Sequence, residues 1–288
     1  MVTNKKITFV MGVSNEEGRV ELALRNVHGW GEIVVIDNFS TDRTVDIVRR
    51  YTDRVYQYKN PGHLDNEEGF DFICSKVETP WMFRLCAGEA VPRALLEMLV
   101  KIAEEDRYSV VCIGRKSISY GRDTHNWMLG HNPRFHKKGA VTYKGAVIHT
   151  IGTITVPPRQ VLYLPHADDL CFWQFRDYTA SRTEQAHNVY LDQEVQEHHK
   201  LLKRKFSPLR LLLGSAWVFF TMYVRRAAFL KGWPAFFVAV WGSMYMFNLQ
   251  ARLWEMDRGW TLQHVRDTHR AIRERLLAEV EKLDDGCL

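Results

Sequence analysis

The chain has 288 residues, 46% of them hydrophobic and 25% charged, with a net charge of +5. That is the balance of a folded soluble protein with one large domain, or one domain and an appendage. So mild a charge favours anionic ligands or a membrane surface over a dedicated nucleic-acid partner. Cys74, Cys86, Cys112, Cys171 and Cys287 are odd in number, widely spaced and free of any CxxC pair. They suggest a reducing compartment and exclude a zinc ribbon.

The opening segment, "ITFVMGV", is short, apolar and β-branched, and reads as a buried strand rather than a signal peptide. A helix is expected over 19–27, a second strand in "EIVVID", and a helix in "STDRTVDIVRRY" with Ser40 or Thr41 as its N-cap. "RVYQY" reads as a third strand, 67–77 as a helix and "WMFRL" as a fourth strand. Pro92 then opens an amphipathic helix that runs to Glu105, and "SVVCIG" is a fifth strand. Strand and helix alternating in this way predict a mostly parallel sheet covered on both faces. Ligands on such sheets bind at the carboxyl ends of the strands. Residues 14–17, 37–42 and 86–89 therefore share one rim.

Residues 120–165 read as loops with short strands. The stretch 166–206 reads as a long helix or a pair of helices, broken at Ser207 and Pro208. Two apolar runs follow, 211–224 and 233–247, of about 14 and 15 residues, where a membrane span needs about 20. Arg225, Arg226 and Lys231 separate them. Aromatic and basic residues together predict an interfacial hairpin over 209–250; the alternative is a buried helical pair covering the sheet. The tail, 261–283, reads as a charged amphipathic helix that caps the structure. The division expected is 1–165 for the sheet domain and 166–288 for a helical region.

The residues up to Tyr51 resemble the opening of family 2 glycosyltransferases of the GT-A fold. Asn15, Glu16 and Glu17 match the Asn-Glu that ends the family's first strand. Asp37, Ser40, Thr41, Asp42 and Thr44 match its D-x-x-S-x-D-x-T. "WMFRLCAGEAVP" matches the segment that usually reads W-x-L-x-L-D-A-D-E-x-V-P. Phe229, Leu230, Lys231, Gly232, Trp254 and Glu255 resemble the tail of one branch, the lipopolysaccharide-core β-glycosyltransferases. The resemblance implies an α/β fold of GT-A type: a Rossmann-like, mostly parallel sheet with flanking helices and a helical C-terminal region. It also implies an inverting transfer from a nucleotide sugar, UDP-type in preference, to a lipid-linked or cell-surface glycan. With the hairpin, it places the chain at the cytoplasmic face of a membrane.

Such a transfer needs the nucleotide held, the leaving diphosphate neutralised and the acceptor hydroxyl deprotonated. For the first, the resemblance points to Asp37, which would accept from a base N–H; the alternative is a turn or cap aspartate. For the second, Cys86 and Gly88 stand where the family has two metal-binding aspartates, and Glu89 is the only acid left. A thiol is a soft ligand and a poor partner for magnesium. Arg84, on the same strand, and Arg134 and Lys137 are cationic substitutes. For the third, His149 remains where the branch has V-H-E, with Thr150 in place of the acid. Asp168 and Asp169 are further bases, unless they cap a helix. Ser14, Glu16, Asp37, Arg84, Cys86 and Gly88 are thus the donor-binding candidates. Glu89, His149, Asp168 and Asp169 are the catalytic candidates, and no residues are assigned to a metal.

The spacing of His125, His131 and His136, or of His198 and His199, matches no zinc pattern. No phosphate loop, Rossmann glycine fingerprint or nucleophile elbow is present. Two readings from different classes follow: a glycosyltransferase working without a divalent metal, and a catalytically inactive relative that binds nucleotide or glycan. A nucleic-acid-modifying transferase would need a basic stripe that the catalytic half lacks.

Overall fold

The computed structural model describes residues 4–60, 64–125, 130–145, 151–176, 179–200 and 202–284. Its first half alternates as the sequence predicts: β1 (Ile7–Val13), α1 (Val20–Val27), β2 (Glu32–Asp37), α2 (Thr44–Val48), β3 (Val55–Gln57), α3 (Glu67–Lys76), β4 (Trp81–Cys86), β5 (Glu89–Ala90), α4 (Arg93–Glu105) and β6 (Val110–Ile113). Short strands follow: β7 (Arg115–Ser119), β8 (Arg122–His125), β9 (Asn132–Lys137), β10 (Val141–Thr142), β11 (Thr153–Ile154), β12 (Val161–Tyr163) and β13 (Phe172–Arg176). The remainder is helical: α5 (Ala180–Lys200), α6 (Ser215–Phe219), α7 (Trp233–Asp257) and α8 (Leu262–Asp284).

Seven strands form the main sheet in the order β12-β6-β9-β4-β1-β2-β3, with β9 antiparallel to both neighbours and the rest parallel. Successive side chains of a strand point to opposite faces. Phe9 and Met11 therefore meet Leu24, Leu95 and Leu99 from α1 and α4, while Val10 and Ile36 meet Phe70 and Ile73 from α3. Both faces are covered, which is why these strands read as unbroken apolar runs. Helix α1 buries Val20, Ala23, Leu24 and Val27, one stripe at 3.6-residue spacing. Asn66 caps α3 by accepting the Gly69 N–H at 2.7 Å.

Strand β1 lies between β4 and β2. In register, Val13 lies opposite Asp37 of β2, and Gly12 opposite Cys86 of β4. Ser14, Asp37 and Cys86 thus end neighbouring strands on one rim, as expected. A second sheet, β5-β13-β7-β8, stands beside that rim.

Three expectations need correction. Helix α2 starts at Thr44, and neither Ser40 nor Thr41 caps it, because both are taken up by hydrogen bonds to Asp37 and Asn15. Residues 172–176, expected in a helix, form β13, paired parallel to β7 and antiparallel to β5. Their alternation of a buried Phe172 and an exposed Phe175 suits a strand, and pairing overrides any local helical preference. The tail helix α8 does not cap the fold: among its described side chains only Val265 is even half-buried.

The segment 209–257 forms a helical hairpin. Its first arm is α6 flanked by loosely wound turns at Arg210–Gly214 and Phe220–Arg225, and its second arm is α7. Met222 packs on Val238 and Ala239 between the arms, and Leu249 and Leu253 of α7 pack on Leu191 and Val195 of α5. Among the described residues no helix is long and apolar enough to cross a membrane. Lys231, at the bend, pairs with Asp123 of β8 at 3.2 Å and ties the hairpin to the second sheet.

Candidate active site

The rim is built by two loops that hydrogen-bond to each other. The Asn15 N–H donates to Ser40 Oγ at 2.9 Å, and the Thr41 N–H returns to Asn15 Oδ1 at 2.8 Å. The Glu16 N–H donates to Thr44 Oγ1 at 2.7 Å, and the Glu17 N–H to Asp42 at 3.1 Å. This exchange requires Asn15 and Phe39 to adopt left-handed backbone, with φ of 53° and 56°. Each such residue costs about 1–2 kcal/mol, and strain of this kind gathers at functional sites. Phe39 is 49% exposed beside Asp37. Nothing in the sequence singles it out, because its exposure depends on the loop conformation.

Asp37 is fully buried. Its carboxylate accepts the Ser40 N–H at 3.1 and 3.3 Å, which is the turn role set against base binding in the sequence. Ser14 is exposed at the end of β1. Glu16 grips Arg19 with both oxygens, Oε2 at 2.6 Å from Nε and Oε1 at 2.8 Å from Nη2.

The loop from β4 to β5 is organised by Glu89, whose side chain has no exposed surface. Its Oε2 accepts the Cys86 N–H at 2.9 Å. Its Oε1 accepts Arg134 Nη2 at 3.0 Å and Gln174 Nε2 at 3.2 Å. Glu89 thereby joins β4, β9 and β13. Burial works hardest against the Arg134 charge, but the Glu89 carboxylate, Cys86 and Asp65 together hold the guanidinium above its usual range. Sequence reasoning named Arg134 as a cation; Gln174, the other side chain that donates to Glu89, carried no signal.

The other basic candidates are taken up by different partners. Arg84 pairs with Asp65 and donates to the Tyr143 hydroxyl. It sits over the Tyr143 ring, on the α3 face of the sheet. Lys137 pairs with Asp106 at 2.8 Å, beyond the opposite end of α4.

The residues of this loop do not fit a hard divalent cation, which wants several oxygen ligands. The Cys86 side chain opens to the cleft but is walled by protein. That desolvation, with the Glu89 carboxylate beside it, pushes its thiol up to about 11, so it stays protonated and neutral near pH 7. Gly88 offers no ligand and has little room for one: a Cβ built there would lie 3.0 Å from Arg19 Nη1 and 3.0 Å from the Phe175 carbonyl. Glu89 is already hydrogen-bonded on both oxygens.

The candidate bases are not gathered at this loop. Asp168 and Asp169 are exposed in a turn before β13, not at a helix N-terminus, so the capping alternative is withdrawn. Asp168 pairs with Lys116 at 2.5 Å. They stand at the start of β13, whereas Gly88 meets its far end through the Phe175 N–H at 2.8 Å. His149 and Thr150 lie outside the described residues. His131 stacks on His166 with ring centres 4.3 Å apart, and His136 is buried beneath the sheet beside Phe70.

Residues 8–163 match the family model described as glycosyl transferase family 2. Two curated relatives resemble nearly the whole chain. An uncharacterized glycosyltransferase of Rickettsia typhi is 24% identical over 262 residues, 88% of each chain. The lipopolysaccharide core biosynthesis glycosyltransferase LpsC of Rhizobium meliloti is 24% identical over 250 residues, 84% of this chain and 89% of that one. Among solved structures, a mannosyltransferase from Pyrobaculum calidifontis in complex with GDP-Man and Mn2+ is 14% identical with a TM-score of 0.47, covering 87% of each chain. The family match takes in β1 to β12, with the rim of strand ends that Ser14, Asp37 and Cys86 define, and so the chain belongs to glycosyltransferase family 2.

Proposed function

We propose that the chain transfers a sugar, with inversion, from a nucleoside diphosphate donor to a hydroxyl of a lipid-linked or cell-surface glycan. The donor is of uridine type, and the reaction proceeds without a divalent cation at the inner face of a membrane. The observation that carries this reading is the chemistry of the loop at the end of β4. It stands where a doubly wound sheet binds its ligand, and the oxygens of its one carboxylate, Glu89, are already engaged by protein donors. Residues 1–165 hold the donor: Asp37 and Ser14 at the nucleotide, Phe39 against the base, and Glu16, Cys86 and Gly88 along the diphosphate. Residues 166–288 serve the acceptor, and the general base is drawn from His149, Asp168 and Asp169.

The membrane belongs to the reading because of the hairpin. Leu213, Trp217, Phe220, Leu230 and Trp233 are between 43% and 75% exposed, and Arg225 and Arg226 are exposed at the bend. Rings and aliphatic side chains bordered by cations suit the interface of an anionic bilayer. A lipid-linked acceptor would then meet the site from the same surface that holds the enzyme.

The test is a melting experiment with UDP, GDP, CDP and ADP, in chelator and with magnesium or manganese, followed by release of nucleotide from the matching sugar donors. Binding stabilises by mass action, so UDP should raise the melting temperature by several degrees in chelator. Nucleotide release from a UDP-sugar should persist there. Activity that appears only with magnesium or manganese would remove the metal-free part. No response to any nucleotide, with no donor consumed, would remove the whole reading.

A further inference from the structure

Helix α8 has an apolar face, and among the described residues no layer of this chain covers it. Thr261 starts the helix by accepting the His264 N–H at 3.1 Å, and the Ala, Leu, Arg and Glu that follow are strong helix formers. Leu262, Val265, Ile272 and Leu276 are spaced by three, seven and four residues, so they share one face. Leu262 is 66% exposed, Ile272 43% and Leu276 51%. His269 interrupts this stripe, and Glu279, seven residues after Ile272, ends it, which leaves about four turns.

The charges are sorted around the stripe. Arg266 and Arg273 directly follow Val265 and Ile272 and border it on one side, and Arg275 directly precedes Leu276 and borders it on the other. Asp267 and Glu274, seven residues apart, lie on the opposite face. All five are exposed, and among the described residues none of the three arginines is held in an ion pair. A second copy laid stripe on stripe would add its own arginines to the same borders and no acid to meet them. An anionic bilayer meets both needs. It offers hydrocarbon to the stripe and headgroup charge to the two borders, and it leaves Asp267 and Glu274 in water.

We propose that α8 lies on the surface of an anionic bilayer as a second lipid-binding element, separate from the hairpin. This rests on the membrane part of the reading above. The arginine stems follow the apolar stripe into the interface while the guanidinium groups stay with the headgroups. A stripe of about four turns binds weakly alone. On one chain with the hairpin it binds at a high effective concentration, so the two contacts reinforce each other and the loss of either releases protein.

The test floats the full chain with vesicles of phosphatidylcholine alone and of phosphatidylcholine with phosphatidylserine. One variant carries Arg266→Glu, Arg273→Glu and Arg275→Glu, and a second carries Leu262→Ser, Ile272→Ser and Leu276→Ser. Each should need about tenfold more anionic lipid than the wild type, or more, to float by half. Both should melt as the wild type does, because the replaced side chains are exposed. If the charge reversal disturbs folding, glutamine at the same three arginines should give the same loss in smaller measure. Flotation unchanged in the arginine variant would overturn the proposal. Release of the arginine variant with full flotation of the serine variant would also overturn it, since α8 would then read an acidic macromolecule without entering lipid. So would a wild-type dimer in sedimentation that the serine variant abolishes, which would give the stripe to a second copy. Any of these, with the wild type still floating, leaves the hairpin's contact standing. A wild type that ignores anionic vesicles would remove the membrane part of the reading and this proposal with it.

Discussion

The main sheet and the C-terminal hairpin draw on the same kinds of side chain and treat them in opposite ways. In the sheet, Phe9, Trp81, Phe83 and Phe135 are at most 2% exposed, and Trp81 stacks on Phe135 with ring centres 4.5 Å apart. In the hairpin, an inner set formed by Phe219, Tyr223 and Phe236 packs ring on ring. An outer set stays open to solvent even where its rings touch: Trp217 is 58% exposed, Trp233 69% and Leu230 75%. Burying a large apolar side chain is worth about 1.5–3 kcal/mol, so the outer set forgoes stability that the sheet collects. Composition cannot separate the two regions. What separates them is whether a second layer of this chain covers the apolar surface, and on the outer side of the hairpin none of the described residues does.

The largest effect should come from the covered side. Trp81→Ala removes a fully buried ring and should cost about 3–5 kcal/mol in urea unfolding. A loss under about 1 kcal/mol would mean that the sheet is as loosely filled as the outer hairpin. Glu89→Gln should cost about 3 kcal/mol or more, because the Arg134 charge is left without its buried partner. Unfolding curves that match the wild type would reduce Glu89 to an ordinary loop residue.

The covered side should also be the acid-sensitive one. Burial holds His136 down to about 4, against an ordinary 6.5. The unfolded chain takes up this proton near pH 6.5, and the folded chain only near 4. Stability from this group is therefore complete above about pH 6.5 and is lost as the pH falls to about 4, by about 3 kcal/mol. Denaturant midpoints measured across that window should fall in the wild type and fall less in His136→Phe. Parallel curves for the two proteins would exclude the histidine as the cause.

The smallest effect on folding is expected on the outer hairpin. Replacing Leu213, Trp217, Phe220 and Leu230 by serine should change stability by no more than about 0.5 kcal/mol per site. The same variant should be released from anionic liposomes in a flotation assay. Unfolding of this variant, or undiminished flotation, would make the hairpin a second core and end the comparison. Serine at Phe219 and Phe236, which lie inside the hairpin, would test packing instead.

Much of this was legible in the chain itself. Short unbroken apolar runs, helical stripes at 3.6 residues and their regular alternation are local signals. They determine a parallel sheet with ligand groups at its carboxyl rim, and they put Ser14, Asp37 and Cys86 on adjacent strands. That Cys86 and Gly88 stand where the resemblance expects two acids is also plain in the letters. Only the tertiary structure decided what surrounds those two positions. Glu89 is claimed by Arg134 and Gln174, 45 and 85 residues further along the chain, and Arg19 arrives at Gly88 from another loop. Residues 172–176 become a strand because β5 and β7 offer edges to pair with, and the outward rings of the hairpin are chosen by which neighbours the inner ones find. Such contacts are set by how distant segments close on one another, and no local window of sequence records that closure.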